Sequence, residues 1–241
     1  ELYNELRELV NNGSREITLL GQNVNAYNYK EKKISNLIQE FSKIKDLKRI
    51  RYTTSHPIDF TQDLIAAHKE IDKLMPLVHL PVQSGSDKIL KKMNRKHTIK
   101  NYLEIVGKLK KANPKIEFSS DFIIGYPGET NDDFNKTLKL VEEVGYIDSY
   151  SFLYSPRPGT PAAKMNEIDR EIAKERLISF QEVANKIKLK YREKLYNRKS
   201  SVLFENETKK GNEFFGRDEF SNSVIVKSEK NLTGKIKEVI I

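Results

Sequence analysis

The stretch SSDFIIGYPGET, residues 119–130, decides the fold. An apolar run ends abruptly in Gly125, Tyr126, Pro127, Gly128, Glu129 and Thr130. That is a strand turning into a helix: two glycines and a proline make the turn, and Thr130 caps the helix that follows. Asp133 supports the positive helix end. Alternation along the strand puts Ser119, Asp121 and Ile123 on one face. A carboxylate in an apolar strand is costly unless it is paired or hydrogen-bonded. Asp121 therefore accepts hydrogen bonds from ligand hydroxyls, such as a ribose diol, or pairs with a neighbouring Lys or Arg.

The same grammar repeats outward. Strands are expected at 16–20, 49–53, 75–80, 115–124 and 146–154. Helical patterns precede the first strand and separate the others, with Thr61, Thr98 and Thr130 as caps and a short helix at about 86–92. Residues 21–33 read as a polar loop. Strands alternating with helices imply right-handed crossovers and a parallel sheet. Five strands do not close an eight-stranded barrel, so the sheet is open or a partial barrel. After Pro161 the pattern changes. Asp169 caps a long helix with Ile172, Leu177, Phe180, Ala184, Ile187, Tyr191 and Leu195 along one stripe. From Lys199 the period becomes two, with short antiparallel strands at 201–205, 213–217, 223–226 and 234–241. This β unit is too small for much core of its own.

The 241-residue chain carries net charge +9. Residues 88–111 hold nine Lys/Arg against one acid, and residues 186–241 hold 14 against eight. Two local basic regions suit a polyanionic partner better than a uniform excess would. No apolar run approaches the ~20 residues of a membrane span, and no signal peptide is visible. With no cysteine, disulfides and thiolate-bound metals are excluded within this chain. The four histidines, His56, His68, His79 and His97, lack metal-ligand spacing and read as surface or loop-end residues. The start at Glu1, directly in a helix pattern, reads as a fragment.

Ligands of parallel α/β folds bind at the carboxyl ends of the strands. Those ends carry five polar loops: GQNVNAY (21–27), TTSHP (53–57), PVQSGSD (81–87), GYPGET (125–130) and YSPRPGT (154–160). Gly125 and Gly128 leave backbone N–H groups open to close approach. Gln83 shares ligand hydroxyls or is simply a turn residue. Arg95 grips a carboxylate with its fork or is solvated among lysines. Gln22, Asn23 and Asn25 offer uncharged amides. Arg157, flanked by Pro156 and Pro158, is a positioned charge or a packed loop residue.

In this order and spacing, ITLLGQNVNAY, RYTTSHP, HLPVQSGSDKILKKMNRKHT, SSDFIIGYPGET and YSPRPGTPAA resemble the radical S-adenosylmethionine methylthiotransferases over essentially the whole chain. GQNVNAY resembles the MiaB-type branch, which acts on N6-isopentenyladenosine in tRNA. The ribosomal-protein and threonylcarbamoyladenosine branches are less alike. The resemblance implies an α/β fold: a partial (βα)6 radical SAM barrel lacking its first strand (1–198), then a small, truncated all-β TRAM domain that binds RNA (199–241). It implies that Gln83 and Asp121 contact the cofactor's ribose and Arg95 its methionine carboxylate. The Gly125–Gly128 loop would lie along the adenine, Gln22 and Asn23 near the methionine end or the substrate base, and Arg157 among the cofactor-binding residues. Further implications are tRNA as substrate, an electron-donor protein, a cytoplasmic setting and a monomer. The family holds two [4Fe–4S] clusters on cysteines; this chain has none, so alone it is expected to be inactive. We read those cysteines as lying upstream of Glu1. A non-catalytic RNA-binding relative is the alternative.

Overall fold

The structure is a computed structural model that describes residues 1–53 and 55–241; Thr54 of the TTSHP loop lies outside them. The first half contains α1 (Leu2–Asn11), β1 (Glu16–Leu19), a hairpin of β2 (Asn28–Tyr29) and β3 (Lys32–Lys33), α2 (Ile34–Ser42), β4 (Arg49–Tyr52) and α3 (Gln62–Glu70). Then come β5 (Leu77–His79), α4 (Asp87–Lys92), α5 (Ile99–Ala112), β6 (Glu117–Ile124), α6 (Asn131–Val144), β7 (Asp148–Leu153) and α7 (Arg170–Glu193). The chain ends in β8 (Lys199–Glu207), β9 (Glu213–Arg217), β10 (Ser223–Lys227) and β11 (Ile236–Ile240).

β1 pairs with β4, β5 with β6, and β6 with β7, all in parallel. A single parallel bridge, Ile50 to Leu74, links the β4 side to the segment entering β5. The five expected strands are thus spatial neighbours in chain order, each step crossing over through a helix or helices. Their two faces differ. Ile50, Tyr52, Val78, Phe118, Phe122 and Ile124 are buried in the core with Phe41, Leu64, Tyr102 and Phe180. The alternate positions carry Glu16, Thr18, Arg49, Arg51, His79, Ser119 and Asp121, so the other face is polar.

The small β unit covers the amino-terminal end of that polar face. Its strands run in the order β10-β9-β8-β11, antiparallel throughout. Arg49, only 2% exposed, donates to the carbonyls of Arg217 (2.9 Å) and Ser201 (2.7 Å). Arg51 donates to the carbonyls of Glu219 and Asp218, both at 3.0 Å, and to Glu16 at 2.9 Å. Glu16 also lies 3.6 Å from Arg49. Burial pulls the Arg49 guanidinium down from its usual range, and Glu16 opposes that shift. The unit's own buried core is Val202, Phe204 and Phe214. So small a core needs this docking to hold its shape.

Several expectations need correction. The loop 21–33 contains a 3-10 turn (Val24–Ala26) and a hairpin whose tight turn sets Lys30 and Glu31 at positive φ. No glycine marks that turn, so the sequence gives little warning of it. The expected strand 75–80 shortens to Leu77–His79. Ile172 is 45% exposed; Ala173, Arg176 and Phe180 are the buried positions of α7. His68 and His97 are not surface residues. His68 is 2% exposed, meets the Tyr52 hydroxyl at 2.6 Å, and burial pushes its pKa down to about 4. Among the described residues no helix is long and apolar enough to cross a membrane, and no His/Asp/Glu cluster suits a metal ion.

Arg49→Ala would leave two carbonyls of the small β unit without their donor and Glu16 with Arg51 alone. The expected cost is about 3–5 kcal/mol in chemical denaturation, with residues 199–241 becoming the first segment cut by protease. Unchanged protection of that segment would show that the arginine does not hold it.

Candidate functional site

Two loops frame the carboxyl ends of β5 and β6, and their local chemistry fixes both. In PVQSGSD, Gln83 adopts φ 75°, uncommon for a side-chain residue. Two sheet-like bonds hold it there: its N–H donates to the Asp121 carbonyl and its carbonyl accepts from Ile123 N–H, both at 2.9 Å. Gly85 is required by space rather than by φ. A Cβ there would lie 2.5 Å from the Lys136 carbonyl oxygen and from Thr137 Cα, both backbone atoms. Its N–H donates to Thr137 Oγ1 at 2.9 Å.

Asp133 ties this loop to GYPGET. Its carboxylate accepts from Ser86 Oγ (2.7 Å), Lys88 Nζ (2.9 Å), Thr130 N (3.0 Å) and Thr130 Oγ1 (2.7 Å). Thr130 caps α6 as expected, and Asp133 goes beyond supporting the helix end by closing a capping box with it. Burial alone would raise the Asp133 carboxyl, but the bonds from Ser86, Thr130 and Lys88 hold it well below the usual carboxylate range.

The loops open onto a cavity of about 810 Å³ whose lining includes Gln83, Arg95, Asp121 and Arg157, with Ile123, Tyr126 and Tyr154 as its apolar side. Arg95 is half-buried, and among the described residues no carboxylate forms an ion pair with it. Burial lowers its pKa, and the negative charge of Asp121 opposes that shift. The Tyr126 and Tyr154 rings meet edge-on at 5.0 Å, and among the described residues the buried Tyr154 hydroxyl has no hydrogen-bond partner. A cation without a counter-ion, a carboxylate, an amide and an aromatic wall can together hold a zwitterionic ligand with a flat ring system and hydroxyls.

Four of the nine residues singled out in the sequence, Gln83, Arg95, Asp121 and Arg157, line this cavity; Gly125, Gly128, Gln22, Asn23 and Asn25 are not among its lining residues. Gly125 does not offer an open amide: its N–H donates to Glu129 Oε2 at 2.6 Å, and a Cβ would come 2.8 Å from that of Ala173. Gly128, at φ 78°, packs beneath Lys92. Gln22 is exposed. Asn23 Nδ2 donates to Asp59 at 2.6 Å. Asn25 and His56 exchange two hydrogen bonds, at 2.8 and 2.9 Å, which fasten GQNVNAY to the SHP segment. Sequence reading missed Tyr126 and Tyr154, although both lie inside quoted loops, because glycine and proline carried the turn signal. It also missed His97, buried beside His56 at 5.6 Å between ring centroids. Burial, His56 and Arg95 push its pKa down to about 4.

Residues 1–141, more than half of the chain, match the sequence profile of the radical SAM superfamily. The chain belongs to that superfamily. Two curated relatives are named tRNA-2-methylthio-N(6)-dimethylallyladenosine synthase. The one from Pelagibacter ubique is 52% identical over 100% of this chain and 55% of its own length. The one from Zymomonas mobilis is 50% identical over 94% of this chain and 52% of its own. The chain thus spans about half the length of the relatives it matches. Among solved structures, coproporphyrinogen III oxidase from Escherichia coli, a radical SAM enzyme, aligns with TM-score 0.59 at 13% identity, covering 90% of this chain and 58% of that one. Methylornithine synthase aligns with TM-score 0.55 at 13% identity, covering 78% and 52%. At such identities the likeness shows the fold alone, an α/β radical SAM fold.

Asp133 sets an acid limb. Its folded pKa is depressed, so the stability it contributes is present above the unfolded value of about 4 and is lost as pH falls below that. Asp133→Asn is expected to cost about 2 kcal/mol at pH 7 and to flatten the decline in melting temperature between pH 4 and 3. Parallel acid limbs for the two proteins would contradict this.

Proposed function

We propose that this chain is the S-adenosylmethionine-binding and RNA-binding portion of a tRNA methylthiotransferase. The parent protein would add a methylthio group to C2 of N6-isopentenyladenosine in the anticodon loop. The observation that carries the reading is a half-buried Arg95, without an ion pair among the described residues, lining the same cavity as Asp121 and Gln83. S-adenosylmethionine fits that donor set. Arg95 would take its carboxylate, as a guanidinium fork does. Asp121 and Gln83 would take the ribose hydroxyls. Ile123, Tyr126 and Tyr154 would pack on the adenine, with the free Tyr154 hydroxyl as a further polar contact. Arg157, on its proline-flanked loop, would add positive charge at the mouth. Gly125, Gly128, Gln22 and Asn23 would then act by shaping the surrounding loops.

When bound, the sulfonium supplies radical chemistry on reduction by a [4Fe–4S] cluster. This chain has no cysteine and so offers no thiolate to either of the two clusters expected of the parent. What its residues do is bind the cofactor, orient it and keep water away. An electron-donor protein, a cytoplasmic setting and a monomeric parent belong to the same reading.

The architecture within this reading is a six-stranded partial barrel represented by its last five strands (1–198), then a TRAM-like β domain (199–241). The sequential parallel order and the antiparallel order β10-β9-β8-β11 support it. The names of the relatives support tRNA as substrate. The basic stretch 88–111 and the basic carboxyl-terminal region would hold phosphates, and splayed loop bases are the usual targets of specific RNA recognition. The missing cysteines favour one second reading, a non-catalytic RNA-binding module on the same fold.

Titration calorimetry of the chain with S-adenosylmethionine tests the first reading. Arg95→Ala is expected to weaken binding about tenfold to a hundredfold. Equal affinities would overturn the assignment of Arg95. In the full-length parent, reconstituted anaerobically, Asp121→Ala is expected to cut formation of the 2-methylthio base by a similar factor, read by nucleoside mass spectrometry.

A further inference from the structure

Asp121 lines the cavity beside a residue that the reading above does not use. His79 ends β5 and is the register partner of Ser119 on β6. Its Nδ1 lies 3.0 Å from Ser119 Oγ, and its Nε2 lies 3.5 Å from Asp121 Oδ1. The two side chains of that pair are 20% and 31% exposed, so water screens them only in part. Among the described residues, His79 is the one side chain within ion-pairing distance of the Asp121 carboxylate. The Tyr150 ring stands edge-on to the imidazole at 6.1 Å, and Tyr150 is the register partner of Asp121.

The setting gives this contact a purpose. Asp121 and Phe152 are shared between the large cavity and a second one of about 390 Å³, which Arg51, Thr18 and Ser221 also line. Asp121 therefore stands on a partition between two spaces, and its short side chain turns about two bonds. A carboxylate there needs a fixed donor if it is to face one space rather than the other. Histidine can supply that donor only in the right tautomer. A hydroxyl both donates and accepts, so Ser119 satisfies Nδ1 in either ring state, whereas the carboxylate accepts only. At 3.5 Å the contact is electrostatic rather than a formed hydrogen bond, and it favours the tautomer with its proton on Nε2, toward Oδ1. Oδ2 is left to accept from a ligand.

We propose that His79, oriented by Ser119, is a positioning residue that holds Asp121 as the acceptor for the vicinal hydroxyls of a nucleoside ligand, and so sets the preference for ribose over deoxyribose. The proposal rests on the reading of the cavity as a nucleoside site.

Binding of S-adenosylhomocysteine and of its 2′-deoxy counterpart to the whole chain tests it, with circular dichroism as the check on folding. Wild type is expected to prefer the ribose ligand by about tenfold. His79→Ala is expected to reduce that preference to about twofold while leaving affinity for the deoxy ligand unchanged. His79→Gln, which keeps an N–H donor, is expected to retain most of the preference. In 15N spectra the ring should report a protonated Nε2 whose signal moves in Asp121→Asn. If His79→Ala weakens both ligands by the same factor, or leaves the preference intact while Asp121→Ala abolishes it, His79 has no positioning role and the cavity reading stands. If wild type binds neither ligand, or Asp121→Ala leaves the preference intact, the cavity reading falls and takes the proposal with it.

Discussion

Four donors converge on the carboxylate of Asp133, and the two loops that frame the cavity are held together through it. Ser86 and Lys88 come from the segment after β5, and the Thr130 amide and hydroxyl come from the start of α6. The group is 2% exposed, so little water competes for those bonds. Gly85 extends the arrangement by letting the PVQSGSD backbone press against α6, where a side chain has no room. Gln83 and Asp121 keep their places because the backbone beneath them is fixed twice, by the sheet and by this cluster.

The sheet spends its two ends differently. At the amino ends of the strands, Arg49 and Arg51 reach out of the polar face and are consumed by Glu16 and by carbonyls of the small β unit. At the carboxyl ends, Arg95 forms no ion pair among the described residues. A cation whose partners are all in place is structural; one held half-buried without an ion pair is a candidate anion site. The contrast separates the arginines by role, although their sequence neighbourhoods look alike.

Much of the fold was legible. The strand-to-helix turn of GYPGET, the capping pair Thr130 and Asp133, and the cap at Asp169 read directly, because each depends on residues at most a few positions apart. The alternation around Asp121 read correctly for the same reason. His68 and His97 did not, since a histidine's burial depends on which apolar residues another element brings against it. Nor did Gly125: its amide looked open to a ligand until the Glu129 carboxylate, folded back by the same loop, took it.

The sequence by itself determined the order of the five parallel strands and the helices between them, the five polar loops that follow those strands, the change of period at Lys199, and the absence of any thiolate. These follow from local periodicity and from composition. Only the tertiary structure decided which polar residues face the cavity and which are spent elsewhere. Gln22, Asn23, Asn25, Gln83, Arg49 and Arg95 are all polar residues near strand ends, yet only Gln83 and Arg95 among them line the cavity. The physical reason is that a buried donor or acceptor must find a partner, and the partners here are often 30 or more positions away in the chain, as Asp59 is for Asn23 and Ser201 for Arg49. No local pattern encodes such a pairing. It exists once the strands are side by side.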